Sequence, residues 1–443
     1  MNQRIANWGN YPVVDSNILS FNNPSELRDI VEKESSFIPR GNGRCYGDAS
    51  LAPTTLLTLD MKKVLSFDKV NGVIDCESGI TLDQILKIIV PHGWFLPVSP
   101  GTKFITVGGA VASNVHGKNH HVEGPFSNHI VDMDLILGSG EPVTCSPESY
   151  ADLFGATCGG MGLTGIITRV RFRLKKIETS YIVQKQVKAS NLEEILQLFD
   201  KYHDYTYSVA WIDCLKKGAQ FGRSILILGE HATQKDLGPK TAQDPLYIPG
   251  KKGIVFPFNL PSFVLNKFTI SAFNFAYYAK NLKKEIDSVV HYEPFFYPLD
   301  AILHWNRGYG KKGFVQYQFV VPLDKKEGLV QILNRISQKG MGSFLAVLKK
   351  FGEHPSIISF PIEGYTLALD FPVREGLFEF LDELDDIVLK YGGRIYLSKD
   401  ARMRPDIFWA TYPHARQFQE IVKKYNPDFK IRSMQSDRLR ITK

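Results

Sequence analysis

The 443 residues carry 53 Lys and Arg against 46 Asp and Glu, a net charge of +7, with 44% apolar and 22% charged residues. That is the balance of a globular protein with ample core, in one very large domain or two to three ordinary ones, and not of a disordered chain. The basic residues are scattered, which argues against a nucleic-acid footprint and leaves attraction to an anionic head group or membrane surface open. Five cysteines, at 45, 76, 145, 158 and 214, form no C-x-x-C pair and leave an odd one over, which suits reduced thiols in a cytosolic compartment. The opening MNQRIANWGN lacks the apolar core of a signal peptide, and no run approaches the ~18 apolar residues of a membrane span. A soluble, cytoplasmic protein is expected, peripheral at most.

In chain order, Asn23-Pro24 with Leu27, Ile30 and Val31 behind it reads as a capped first helix. After the apolar Phe37-Ile38-Pro39 comes Arg40-Gly41-Asn42-Gly43-Arg44-Cys45-Tyr46-Gly47-Asp48, similar to a Gly-rich phosphate loop. Its glycines miss the G-x-G-x-x-G dinucleotide spacing by one, and no G-x-x-x-x-G-K-[ST] occurs. What remains is a loop of free N–H groups flanked by Arg40 and Arg44, suited to a pyrophosphate. Strands are predicted at 54–59 and 73–76, and Thr81 with Gln84 makes a capping box for a helix through Val90.

The stretch around which the chain is organised is SPGTKFITVGGAVASNVHGKNHH, from Ser99 to His121. Paired glycines and small residues let a flat or anionic ligand lie on the main chain; a Gly-rich connection packed on a neighbouring strand would look the same. The His116/His120 spacing invites a metal, but Gly117 breaks the helix such a site would use, and no cysteine or carboxylate cluster accompanies it. No metal is expected. The region to 178 alternates short strands and helices, ending in a strand at 166–172.

From 179 to 393 strands such as 314–321 and 365–371 alternate with amphipathic helices, one running through Leu377, Phe380, Leu381, Leu384 and Val388. This reads as a sheet with helices on one side, a substrate cap. Within it, Asp244 to Asn274 carries four prolines among aromatic and aliphatic residues and three lysines, 251, 252 and 267, and suits a mobile lid for a greasy substrate tail better than a core helix.

These stretches, with Cys158-Gly159-Gly160-Met161-Gly162-Leu163-Thr164-Gly165-Ile166-Ile167, resemble the FAD-binding half of the vanillyl-alcohol-oxidase-type flavoproteins. The chain is closer still to one of their branches, the FAD-containing oxidase subunits of decaprenylphosphoryl-β-D-ribose 2′-epimerases. That pattern runs nearly end to end, through His304-Trp305-Asn306-Arg307-Gly308-Tyr309-Gly310, Gln316 to Pro322, Asp370 to Pro372 and Tyr396 to Arg402.

The resemblance implies an α+β, two-domain FAD-linked oxidase fold. The FAD-binding domain would be discontinuous, 1–178 and 394–443, around a substrate or cap domain at 179–393. It implies noncovalent FAD held by Arg40, Gly41, Asn42, Gly43, Arg44, Cys45, Tyr46, Gly47, Asp48, Ala49 and Ser50. Gly101, Thr102, Thr106, Val107, Gly108 and Gly109 would add to the cradle, as would His116, Gly117, Lys118, Asn119, Ile167 and Tyr396. Lys399, Gln318 and Tyr396 would be catalytic. A cation at Lys399 would stabilise the reduced ring, and its amine could also hold or deprotonate the substrate hydroxyl. Lys349, Trp211 and Thr366 would meet the substrate. By composition alone Lys399 and Lys349 would be surface lysines and Trp211 a core residue.

Where the family pattern reads WNVCVDFP, Thr366 replaces an Asn and Ala368 a Cys, which bears on the sugar more than on the reaction type. Relatives that tether FAD do so through a His where Arg44 stands. The implied reaction is oxidation of a sugar secondary alcohol to a ketone, foremost the C2′ hydroxyl of a polyprenyl-phosphoryl ribose. A partner keto-reductase would complete epimerisation. An alditol or sugar-1,4-lactone oxidase with noncovalent FAD is the alternative, and a flavin- or lipid-carrier-binding protein without turnover is the reading from another class.

Overall fold

The computed structural model describes residues 1–21, 24–250, 253–261 and 264–443. The predicted cap at Asn23 and the lid lysines 251 and 252 lie outside them.

The helix Pro24–Lys33 forms where expected and buries Leu27 and Val31 completely. Thr81 and Gln84 form the expected capping box on the helix Leu82–Ile89, whose Leu82, Ile85, Leu86 and Ile89 face the core. Two sheets carry the first part of the chain. A four-stranded sheet runs Asn2–Ala6, Val13–Leu19, Thr54–Leu57, Ile38–Arg40. A five-stranded antiparallel sheet runs Val64–Asp68, Val73–Glu77, Ile166–Arg173, Ile130–Ile136, Pro142–Cys145.

An eight-stranded sheet, antiparallel between the neighbours it pairs, follows. Its order is Glu285–His291, Tyr181–Ala189, Ser224–His231, Tyr207–Ile212, Val347–Phe351, Gly364–Pro372, Phe314–Pro322, Arg394–Ile395. Helices Leu192–Lys201, Glu327–Lys339 and Leu377–Lys390 bury their apolar faces, the last through Leu377, Phe380, Leu381, Leu384 and Val388 as the periodicity predicts. The architecture is α+β. The tail returns to the first sheets: Phe37 donates its N–H to Lys430 and accepts from Arg432, both at 2.9 Å.

The segment 244–274 departs from a pure loop. Residues 267–274 belong to the helix Lys267–Ala279, which starts after the last proline, Pro261. Asn266 caps it, accepting from the N–H groups of Phe268 and Thr269, and closes a capping box with Thr269. Proline stops a helix only where it stands, and the Asn-x-x-Thr start signal was present.

Candidate active site

The two Gly-rich stretches face one another. A Cβ at Gly41 would strike the Thr106 side chain, so the loop after the strand Ile38–Arg40 lies against the start of the helix Val107–Ala112. Gly43 has φ +58°, a conformation that favours glycine, and a Cβ at Gly47 would strike the Asp400 backbone. Gly101 has open space where its Cβ would be. Between these walls and the eight-stranded sheet lies a cavity of about 640 Å³.

Most predicted residues line it: Arg40 to Tyr46, Ala49, Ser50, Gly101, Thr102, Thr106, Gly108, Gly109, His116 to Lys118 and Ile167 from one side. Trp211, Gln318, Lys349, Tyr396 and Lys399 reach it from the other. Gly47, Asp48, Val107, Asn119 and Thr366 do not reach the wall. Val107 is in the core, and Asn119 is turned away, donating from Nδ2 to the Pro97 carbonyl at 2.8 Å. Asp48 accepts from Arg438 at 2.8 Å, and Arg438 bonds Asp400 at 2.7 Å. That buried clamp ties the end of the Gly-rich loop to the segment carrying Lys399. Thr366 stands behind Gln318, accepting from its Nε2 at 3.3 Å and donating to the Phe319 carbonyl at 2.8 Å.

Strand alternation aims the polar side chains. Gln316 and Gln318 are two apart on Phe314–Pro322, and their register partners, Asp370 and Ala368, are two apart on Gly364–Pro372. All but the buried Asp370 are on the cavity lining. Asp370 accepts from Gln316 Nε2 at 2.6 Å and from the Tyr309 hydroxyl at 3.2 Å, and burial raises its pKa to about 6. Gln316, on the lining, and Asp370, bonded behind it, carry no role in the motifs; the signal for them is this period-two polarity in otherwise apolar strands.

Lys399 stacks its ammonium 4.0 Å from the Tyr46 ring centre. Burial lowers its pKa to about 8, while the charge of Asp370 raises it. Lys349 and Lys118 are pushed down to about 7, first by burial and then by Lys399 and Lys349 respectively. Neither has a carboxylate ion pair among the described residues. Lys118 donates to the Phe295 carbonyl, and Lys349 lies 5.7 Å from the Phe351 ring centre. A cavity lined with this surplus of desolvated positive charge calls for anionic ligand groups.

Burial, with Lys349 and Lys399 nearby, holds His116 well below its usual pKa and therefore neutral; its Nε2 lies 3.2 Å from Gln318 Nε2. Tyr396 donates to the Ser113 carbonyl at 2.8 Å and stacks on Phe360. Arg40 is spent on the fold, bonding Asn7 and donating to the Ala6 carbonyl at 2.8 Å. Arg44 lies over Trp8, 4.2 Å from its ring centre. Arg44 Nε, Ser78 Oγ and His116 Nδ1 are buried without a partner among the described residues, and all three residues line the cavity. Orphaned polar atoms of that kind on a lean, glycine-lined wall fit a large polar cofactor.

A family profile described as an FAD binding domain matches residues 22–146. The decaprenylphosphoryl-β-D-ribose oxidase of Mycolicibacterium smegmatis is 36% identical over 99% of this chain and 98% of its own length. The chain belongs to the decaprenylphosphoryl-β-D-ribose oxidase family. It is an FAD-dependent oxidoreductase. An uncharacterized protein of Streptomyces coelicolor is 30% identical over 79% of this chain and 96% of its own length. Likeness to a Neurospora crassa protein named as a D-arabinono-1,4-lactone oxidase is 31% over only 30% of this chain and 24% of that protein. In the family's terms, the end-to-end match spans both the Gly-rich walls and the sheet that carries Gln318 and Lys349. No described helix is long and apolar enough to cross a membrane.

Proposed function

We propose that the protein oxidises the C2′ hydroxyl of a polyprenyl-phosphoryl-β-D-ribose to the ketone, as the first half of an epimerisation completed by a separate keto-reductase. The observation that carries this is the meeting of Lys399, Gln318, His116 and Lys349 around one cavity that the Gly-rich loops also line. Residues 1–178 and 394–443 are assigned to FAD binding and 179–393 to the substrate, with the protein peripheral at a membrane face.

Bound noncovalent FAD supplies the hydride acceptor. The N–H groups of the loop at 40–47 and the Arg44 guanidinium suit its pyrophosphate. Lys399, as an ammonium, sets a fixed positive charge where negative charge grows during reduction, and such stabilisation is strong in a site shielded from water. Gln318 has its Nε2 engaged by His116 and Thr366, so its Oε1 is left to accept from a sugar hydroxyl. Lys349 and Lys118, lacking carboxylate partners, suit the substrate phosphate. Binding energy from phosphate and hydrocarbon, both remote from the reacting carbon, then holds the sugar in place for transfer.

Anaerobic flavin bleaching tests the reading. A polyprenyl-phosphoryl ribose with a shortened prenyl chain is expected to bleach the flavin far faster than free ribose, arabinitol or a 1,4-lactone, and to yield a C2′ ketone. A free alditol or lactone as the better reductant refutes it.

A further inference from the structure

The helix Lys267–Ala279 buries Ile270 and Asn274 and leaves much of its aromatic surface outside. Its Asn274 is fully buried and donates from Nδ2 to Asp213 Oδ1 at 2.9 Å, and Asp213 is itself paired with Arg223 at 2.9 Å. Two of its phenylalanines point outward: Phe268 is 83% exposed and Phe275 61%, and just past the helix end Leu282 is 92% exposed. Phe268, Ala272, Phe275 and Ala279 fall at i, i+4, i+7 and i+11, one continuous exposed stripe on the helix, and Leu282 stands exposed just beyond its end. Packing among the described residues does not account for phenylalanines offered to solvent on a helix that buries an amide.

We infer that this stripe is a docking surface for an anionic lipid bilayer, through which the lipid-linked substrate passes directly into the cavity. The inference rests on the substrate reading above. Charge complementarity supports it: residues 267–284 contain four lysines, 267, 280, 283 and 284, and no Asp or Glu. Lys284 pairs with Glu194, but Lys267, Lys280 and Lys283 have no ion pair among the described residues. Lysines at both ends of an apolar stripe match head groups above an acyl layer. A second copy of the chain fits less well, since two-fold pairing of this helix sets lysines against lysines with no acid between them.

Continuity with the cavity makes the same case. Phe273 and Tyr277 of this helix line the cavity, as do Ile302 and Leu303. Ile302 pairs with Ile254, which is 78% exposed, and Phe258 beyond it is also exposed. A prenyl chain can leave the bilayer and reach the cavity along apolar surface, while its phosphate meets Lys118 or Lys349.

Flotation of the FAD-loaded full chain with vesicles of phosphatidylcholine alone, or mixed with phosphatidylglycerol, tests this. The parent is expected to float with the anionic vesicles and to release as salt rises. The variant Phe268→Ser, Phe275→Ser, Leu282→Ser alters only exposed side chains and should partition about tenfold more weakly or worse. Oxidation of a water-soluble, short-prenyl phosphoryl ribose reads the chemistry separately and should be equal in the two proteins. Equal flotation of parent and variant, or a parent that never floats, overturns the docking surface whatever the turnover. Dispersal of a parental dimer by the triple variant overturns it in favour of a second copy. Failure to oxidise the soluble substrate, with flotation intact, strikes the substrate reading alone.

Discussion

Asp370→Asn isolates the electrostatic support of Lys399. The amide keeps the shape and an acceptor oxygen for Gln316 Nε2, turns an NH2 towards the Tyr309 hydroxyl, which then accepts instead of donating, and removes the buried charge. Asp370 titrates at about 6 and Lys399 at about 8, so near neutral pH the carboxylate faces an ammonium. The carboxylate raises the lysine's pKa; removing it must lower that pKa. Lys399 and Asp370 make no direct ion pair among the described residues, and a nearby opposite charge is worth about one to three pKa units. At about pH 7.5 a lysine of pKa about 8 is roughly three-quarters protonated; a fall of one unit cuts the ammonium about threefold, and two units about 25-fold.

Single-turnover flavin bleaching at saturating substrate, followed across pH, reads this directly. The parental rate should fall as pH rises through about 8, and the alkaline limb of the variant should lie at lower pH. Below about pH 6 Asp370 is itself protonated, so the two proteins should converge. A uniform loss at every pH would mean that Asp370 acts only through shape. A rate that rises with pH through Lys399's titration would show that its neutral amine works as a base, and would refute the ammonium role.

Lys399→Ala should leave the protein folded and yellow yet slow flavin reduction about 10²–10³-fold, as for the loss of a preorganised charge; near-parental bleaching sinks the role. Acid precipitation should release all flavin to the supernatant, because Arg44 stands at the tethering position and no cysteine lies in Ser99 to Thr102; colour kept in the pellet refutes noncovalent binding. Arg438→Met strands Asp48 and Asp400 together and should cost ~3–5 kcal/mol in denaturant unfolding. That deficit should shrink as pH falls and the stranded carboxyls protonate; a deficit that grows towards acid pH contradicts the clamp.

Local signals were legible because they act over a few residues. The Thr81–Gln84 capping box and the apolar stripe of Leu377–Lys390 needed no tertiary knowledge, and both stand where the sequence puts them. The helix Lys267–Ala279 was masked by prolines that end six residues before it, although Asn266 announced its start. The Arg438 clamp was illegible for another reason: its partner Asp48 lies 390 residues away, and no local pattern encodes that pairing. Arg40 and Arg44 looked alike as anion ligands, yet the fold consumes the first through Asn7 and Ala6 and leaves the second with an orphaned Nε. Sequence gives the residue types near a ligand, whereas burial and competing partners decide which remain available to it.

Thr366 illustrates the same division. As a departure from the family's Asn it suggested altered contact with the sugar, but its side chain is fully buried behind Gln318. Its hydroxyl donates to the Phe319 carbonyl, so towards Gln318 it offers a lone pair, and that fixes Gln318 Nε2 inward, shared with His116. Neutral His116 reinforces this, because an imidazolium would offer Nε2 a proton where an acceptor is needed. The consequence is a carbonyl oxygen on the cavity wall, an acceptor for a sugar hydroxyl. An Asn at 366 offers both a donor and an acceptor and can turn the Gln318 amide either way; Thr cannot. On this reading the substitution acts on the sugar through the orientation of Gln318, while the Ala368 that replaces Cys opens room directly on the wall.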